Sequence, residues 1–256
     1  MPALAAQFFR PRQRLQLAPP TDATPLSVTH GDLALQGWAL GQGPAVLLAH
    51  GWEGAAGQFG PMAQALTAQG LRAVAFDLPA HGASGGVEAN VVTFAAALRE
   101  VARAHGPFVG VVGHSLGGAA VSVASATGLG AERALLIAPA ASPDHFIRTF
   151  AGAVLPPELL GPFTDAVWAH AGFVSQDVHA PSHVSRFDGT VRVLHDPADR
   201  EVPFAHGESI AAAAKAGSLR ELPGAGHVRI LTDARTLDET THFFAPLRRT
   251  SEASHV

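Results

Sequence analysis

Val109-Gly110-Val111-Val112-Gly113-His114-Ser115-Leu116-Gly117 is the stretch whose reading decides the fold. Four apolar or small residues run into Gly113. A run of small, helix-compatible residues, Gly118 to Ala124, follows. The pattern is strand, sharp turn, helix, with a serine at the apex, and it fits G-x-S-x-G. The outer glycines have a physical reason. Backbone at such an elbow is strained, and strand and helix pass so closely that side chains at 113 and 117 would clash. Ser115 is then held above the sheet at a helix N-terminus, where the Leu116 N–H can face a developing negative charge.

The same rhythm continues on both sides. Residues 45–49 form a continuous apolar run, as expected of a strand buried on both faces. It ends in His50-Gly51-Trp52-Glu53-Gly54. A helix carrying Phe59, Met62 and Leu66 follows and stops at Gly70. The next strand, 71–76, ends in Asp77-Leu78-Pro79-Ala80-His81-Gly82-Ala83-Ser84. A helix is expected over 91–105 and another strand over 133–138, stopped by Pro139. Strands alternating with helices imply α/β architecture: a mostly parallel, doubly wound sheet with right-handed crossovers. Upstream, 26–30 and 33–38 flank Gly31-Asp32 and read as a hairpin. Residues 1–25, broken by Pro19-Pro20 and Pro25, read as a loosely held arm.

Between about 140 and 187 the rhythm breaks. Phe146, Phe150, Leu155, Phe163 and Trp168 lie in an irregular helical stretch, read as a small lid over one face of the sheet. Some of these side chains should line a substrate pocket, and Phe146, Phe150, Phe163 and Trp168 are the candidates, together with Trp52. The sheet then resumes at 191–194. A helix over 205–215, a strand over 218–222 and a last helix over 233–247 follow. Residues 26–247 thus make one domain, and 248–256 read as a polar tail.

Composition narrows the function classes. The 256 residues are 47% hydrophobic, enough for one sizeable core. The net charge is 17 − 21 = −4 with no basic run, which argues against nucleic-acid binding. The chain has no cysteine, hence no disulfide and no thiolate metal site. No stretch approaches the roughly 18 apolar residues of a membrane span. The N-terminal charges suit no signal peptide, so a cytoplasmic protein is expected. His179 and His183 stand four apart, but Pro181 lies between them and no carboxylate sits at ligand spacing. They read as exposed loop histidines, and no metal site is expected.

In a parallel α/β sheet, ligands bind beyond the carboxyl ends of the strands. Four loops at that edge carry His50-Gly51-Trp52, Ser115, Asp196 with Asp199, and His227, in the chain order Ser, Asp, His. A serine needs a base within reach to act as nucleophile, and His227, on the Gly-rich loop Pro223-Gly224-Ala225-Gly226, suits that task. His114 competes by proximity, but at a sharp turn its side chain must point away from that of Ser115. Either Asp196 or Asp199 could orient the imidazole.

On these motifs the chain resembles the α/β-hydrolase superfamily over residues 26–247, specifically its serine esterase and lipase-like members. The resemblance favours Asp199, which stands at the family's spacing ahead of Val202-Pro203, and leaves Asp196 as a turn former or a helper near the loop. It implies Ser115 as nucleophile, His227 as base and Asp199 as acid, with an oxyanion hole from the backbone N–H groups of Trp52 and Leu116. Asp77 and His81 read as structural and Glu53 as solvent-facing. The implied activity is cofactor-free hydrolysis of a small-molecule ester with a small or medium acyl chain, through an acyl-enzyme. A thioesterase or lactonase would use the same residues. A non-catalytic ligand-binding protein on the same fold would be marked by a broken Ser-His-Asp set, and here all three positions are filled.

Overall fold

A computed structural model of the chain describes residues 1–12 and 15–250. Of the expected polar tail, 251–256 lie outside the described residues. The order of elements is α1 (Pro2–Phe8), β1 (Thr24–His30), β2 (Leu33–Leu40), β3 (Ala45–Ala49), α2 (Gly60–Thr67), β4 (Arg72–Phe76), α3 (Val91–His105), β5 (Phe108–His114) and α4 (Leu116–Ser125). Then come β6 (Arg133–Ile137), α5 (Asp144–Val154), α6 (Leu160–Ala171), α7 (Ala180–Val184), β7 (Thr190–His195), α8 (Phe204–Ala213), β8 (Ala216–Glu221) and α9 (Ala234–Phe244). One eight-stranded sheet runs in the order β1-β2-β4-β3-β5-β6-β7-β8. The β1–β2 hairpin and the β2–β4 pair are antiparallel, and every later pair is parallel.

The two-residue period of a strand explains the unbroken apolar runs. In β3, Leu47 and Ala49 face the layer of α3, α4, α7 and α8, packing with Phe94, Leu98, Val121 and Ile210. Val46 and Leu48 face the opposite layer, α2 and α9, with Met62, Leu66 and Phe244. Helix α3 begins and ends where the sequence places it. Asn90 caps it by accepting from the Thr93 N–H at 2.9 Å, and Thr93 Oγ1 accepts in return from the Asn90 N–H at 2.9 Å. Helix α4 packs tightly because Gly117 has no side chain. A Cβ there would lie 2.4 Å from the carbonyl oxygens of both Ala49 and His50.

Three expectations change. The lid is smaller than residues 140–187. Only α5 and α6 stand off the sheet, whereas Ala180 and Val184 of α7 join the main core beside α4. A crossover from β6 to β7 needs a helix on the sheet, and α7 supplies it. His183 therefore lies buried rather than exposed, its Nε2 donating to the Asp177 carbonyl at 2.8 Å. Finally, the start of the N-terminal arm, residues 2–9, is packed rather than loose. Ala5 and Phe9 are buried with Ile147, Ala151, Phe163 and Val167 in a third apolar cluster that joins α1 to α5 and α6.

Candidate active site

Ser115 sits at the elbow with φ +52°, a conformation that L residues adopt only under constraint. The constraint is visible. Its N–H donates to the Ile137 carbonyl at 3.0 Å, and its own carbonyl accepts from the N–H groups of Gly118, Ala119 and Ala140. The side chain opens into a cavity of about 840 Å³ at the carboxyl ends of the strands. His227, Trp52 and Leu116 line the same cavity.

His227 follows β8 on a loop that Asp196 fastens. The Asp196 carboxylate accepts from the N–H groups of Gly224 at 3.2 Å and Gly226 at 2.7 Å, and from Ala198 at 2.9 Å. This residue holds its own turn and also ties the loop after β7 to the loop that carries His227. His114 adds a second tie, its Nε2–H donating to the His227 carbonyl at 2.9 Å.

Asp199, not Asp196, meets the imidazole. His227 Nδ1 lies 2.8 Å from Asp199 Oδ2. A carboxylate only accepts, so Nδ1 carries the proton and Nε2 is left as the base-competent nitrogen. The other oxygen, Oδ1, accepts from the N–H groups of Glu201 at 2.8 Å and Val202 at 3.0 Å. A second imidazole also reaches this carboxylate: fully buried His195 places Nε2 3.4 Å from Oδ2 and 3.1 Å from the Val202 carbonyl. Burial alone would favour the neutral acid. The hydrogen bonds from His195, His227 and the two backbone N–H groups outweigh it and hold Asp199 far below the usual carboxylate range. Among the described residues no hydrogen bond links Ser115 Oγ to His227, and the hydroxyl is a single-bond rotor free to turn toward Nε2.

The loop after β3 is braced by two histidines. His50 Nδ1 donates to the Gly51 carbonyl at 2.7 Å, and its Nε2 accepts from the Leu78 N–H at 2.9 Å. His81 Nδ1 donates to the Pro79 carbonyl at 2.9 Å, and its Nε2 accepts from the Glu53 N–H at 2.9 Å. Asp77 accepts from the N–H groups of Ala56 and Ala83. Gly51 brings the loop against the elbow, since a Cβ there would lie 2.9 Å from Ser115 Cβ. The N–H groups of Trp52 and Leu116 donate to no other described residue, and both residues line the cavity onto which Ser115 opens. Glu53 does not point to water. Arg12 grips its carboxylate through the backbone N–H at 2.7 Å and through Nε and Nη2 at 3.1 Å each.

Burial pushes the His50 imidazole down to about 3, with nearby His81 adding to the effect, and pushes His114 down to about 3, with His227 adding. The unfolded chain takes up protons on both below the ordinary histidine pKa of about 6.5, and the native state refuses them until about 3. Stability is therefore complete above about pH 6.5 and lost as pH falls toward 3, with a slope approaching about 3 kcal/mol per pH unit near pH 5. The depressed Asp199 carboxyl acts in the same direction at the acid end. Urea midpoints from pH 8 to 4 should show this decline. A flat profile would contradict it.

Of the expected pocket residues, Trp52, Phe146, Phe150 and Trp168 line the cavity, and Phe163 does not. Phe163 is fully buried beneath the cap, its ring stacked on Phe150 at 5.6 Å between centroids. It fills the third apolar cluster instead. Sequence reasoning missed His195, although His195-Asp196 stands at a strand end. It also missed Phe8 and Arg12, which line the cavity, although Phe8-Phe9 amid arginines was the signal. Among the described residues no cluster of His, Cys, Asp or Glu could hold a metal ion, and no helix is long and apolar enough to cross a membrane.

The fold, the elbow and the strand-end loops together define a class. The chain belongs to the alpha/beta hydrolase family, whose profile matches residues 46–239. Among solved structures it is similar to Est1E from Butyrivibrio proteoclasticus with ferulic acid bound, at 18% identity and TM-score 0.71, covering 86% of this chain and 98% of that one. It is also similar to an esterase from Exiguobacterium antarcticum, at 15% identity and TM-score 0.68, covering 86% and 98%. A bromoperoxidase from Bacillus anthracis matches at 16% identity and TM-score 0.66, covering 87% and 100%. At such identities the likeness is one of fold. No curated protein matches the chain.

Proposed function

We propose that this chain is a serine hydrolase that cleaves carboxylic esters with small or medium acyl chains. The observation that carries the reading is the Asp199–His227 hydrogen bond of 2.8 Å, which fixes the imidazole tautomer in the same cavity as the strained Ser115. In the proposed reaction His227 Nε2 takes the Ser115 hydroxyl proton as Oγ attacks the ester carbonyl. The oxyanion forms between the N–H groups of Trp52 and Leu116, each such donor typically worth about 3 kcal/mol of barrier. The tetrahedral intermediate collapses, the alcohol leaves with the proton from His227, and an acyl-Ser115 ester remains. Water, deprotonated by His227, then attacks that ester through a second tetrahedral intermediate. Its collapse releases the acid and returns the proton to Ser115. Asp199 stays ionised throughout and stabilises the imidazolium. No step calls for a cofactor. The esterases of similar fold support the same direction.

The cavity, walled by Trp52, Phe146, Phe150 and Trp168, suits a compact apolar group rather than a lipid aggregate. A chain-length series of p-nitrophenyl esters tests this. Soluble short and medium esters should turn over fastest, and faster turnover of emulsified long-chain esters would overturn the assignment of substrate size.

A further inference from the structure

We propose that the N-terminal segment, residues 2–12, is part of the ligand-binding wall, with Phe8 gripping the apolar limb of the bound substrate. Describing that substrate as an ester rests on the hydrolase reading above. The binding wall itself does not.

The segment is built into the molecule. Ala5 is fully buried and Phe9 is 5% exposed, both within the cluster formed with α5 and α6. The Phe9 ring stacks on His170 of α6 at 5.3 Å, and its carbonyl accepts from the Ala89 N–H at 2.8 Å. Arg10 pairs with Glu88 at 2.9 Å, and the second oxygen of Glu88 meets His170 Nε2 at 2.9 Å. Arg12 then reaches Glu53, one residue beyond the candidate oxyanion donor Trp52. Exposed ion pairs contribute little singly, so the burial of Ala5 and Phe9 is what seats the segment. The pairs set its path from the cap, past the start of α3, to the loop after β3.

That path crosses the cavity. Gln7, Phe8, Phe9, Arg10 and Arg12 line it, with Trp52, Phe150 and Trp168 also in its wall. Phe8 meets Phe150 edge-on at 5.6 Å, so the segment and α5 form one continuous aromatic surface. Both arginines are paired with carboxylates, Phe9 is buried, and Gln7 brings a polar amide to the lining. The apolar group that the segment offers a ligand is therefore the Phe8 ring, and the ligand part that fits it is an alkyl or aryl chain. A short chain held at Ser115 leaves Phe8 unused, and a longer one covers it.

The test uses the full chain carrying Ser115→Ala, so that no turnover intervenes. Two uncleavable methyl ketones, 2-hexanone and 2-decanone, are titrated against the intrinsic tryptophan fluorescence, two of whose three sources, Trp52 and Trp168, line the cavity. Adding Phe8→Ala should weaken 2-decanone by roughly tenfold and 2-hexanone by less than about twofold. Phe8→Leu should restore most of the affinity for 2-decanone. Equal weakening of both ketones, or no change in either, would overturn the proposal. The hydrolase reading fails separately. If fluorophosphonate does not label Ser115 in the otherwise unaltered protein while the ketones still discriminate through Phe8, the wall stands and the esterase assignment falls.

Discussion

Ser115→Ala is expected to abolish ester turnover, by as much as ~10⁶-fold, while leaving the fold intact. The two halves of this result have separate causes. The proposed chemistry passes through Ser115 Oγ alone, and the Ser142 and Thr149 hydroxyls in the same cavity donate to Asp144 and to the His145 carbonyl. The fold, in contrast, uses only the Ser115 backbone, through the N–H to Ile137 and the carbonyl shared by Gly118, Ala119 and Ala140. Alanine at φ +52° carries about the same strain as serine, so the elbow should persist. Initial rates on a soluble p-nitrophenyl ester, beside the urea midpoint of the same preparation, read both halves at once. Retained turnover in a folded variant would remove Ser115 from the mechanism.

Asp199→Asn should cost about 10⁴-fold in turnover for a different reason. Oδ1 of Asp199 accepts from the N–H groups of Glu201 and Val202, so asparagine keeps its carbonyl there. Its amide NH₂ then faces His227 Nδ1 and His195 Nε2. His227 can no longer donate from Nδ1 and must move its proton to Nε2, which presents a proton to Ser115 where a lone pair is needed. The geometry survives and the tautomer is wrong. Binding of an uncleavable ketone should therefore change little while kcat falls. A variant that loses binding and turnover together would indicate a structural role instead.

The elbow was legible because only glycine fits at Gly117, and the strand order followed from apolar runs separated by helical spacing. The candidate chemistry was legible because it sits at strand ends, where topology alone brings loops together. What the sequence hid depends on packing between distant segments. Helix α1 is seven residues long, too short to be stable by propensity, and it exists because Ala5 and Phe9 find a cap to bury against. Phe150 and Phe163 are alike in sequence, but one faces the cavity and the other the layer beneath it. That difference is set by how α5 and α6 cross, which no period in a single helix records. His195 acts on Asp199 because the loop after β7 folds back on itself. Asp196 reads in sequence as a turn former or a loop helper, and its partners Gly224 and Gly226, beyond the next strand, are named only by the fold. Glu53 looked solvent-facing because its partner, Arg12, is 41 residues away.

The central claim is that Ser115 is an activated nucleophile, and fluorophosphonate labelling followed by peptide mass spectrometry tests it most directly. A single adduct on Ser115, formed much more slowly in Asp199→Asn, is the predicted result. No adduct on the folded protein, or an adduct on another serine, would contradict it.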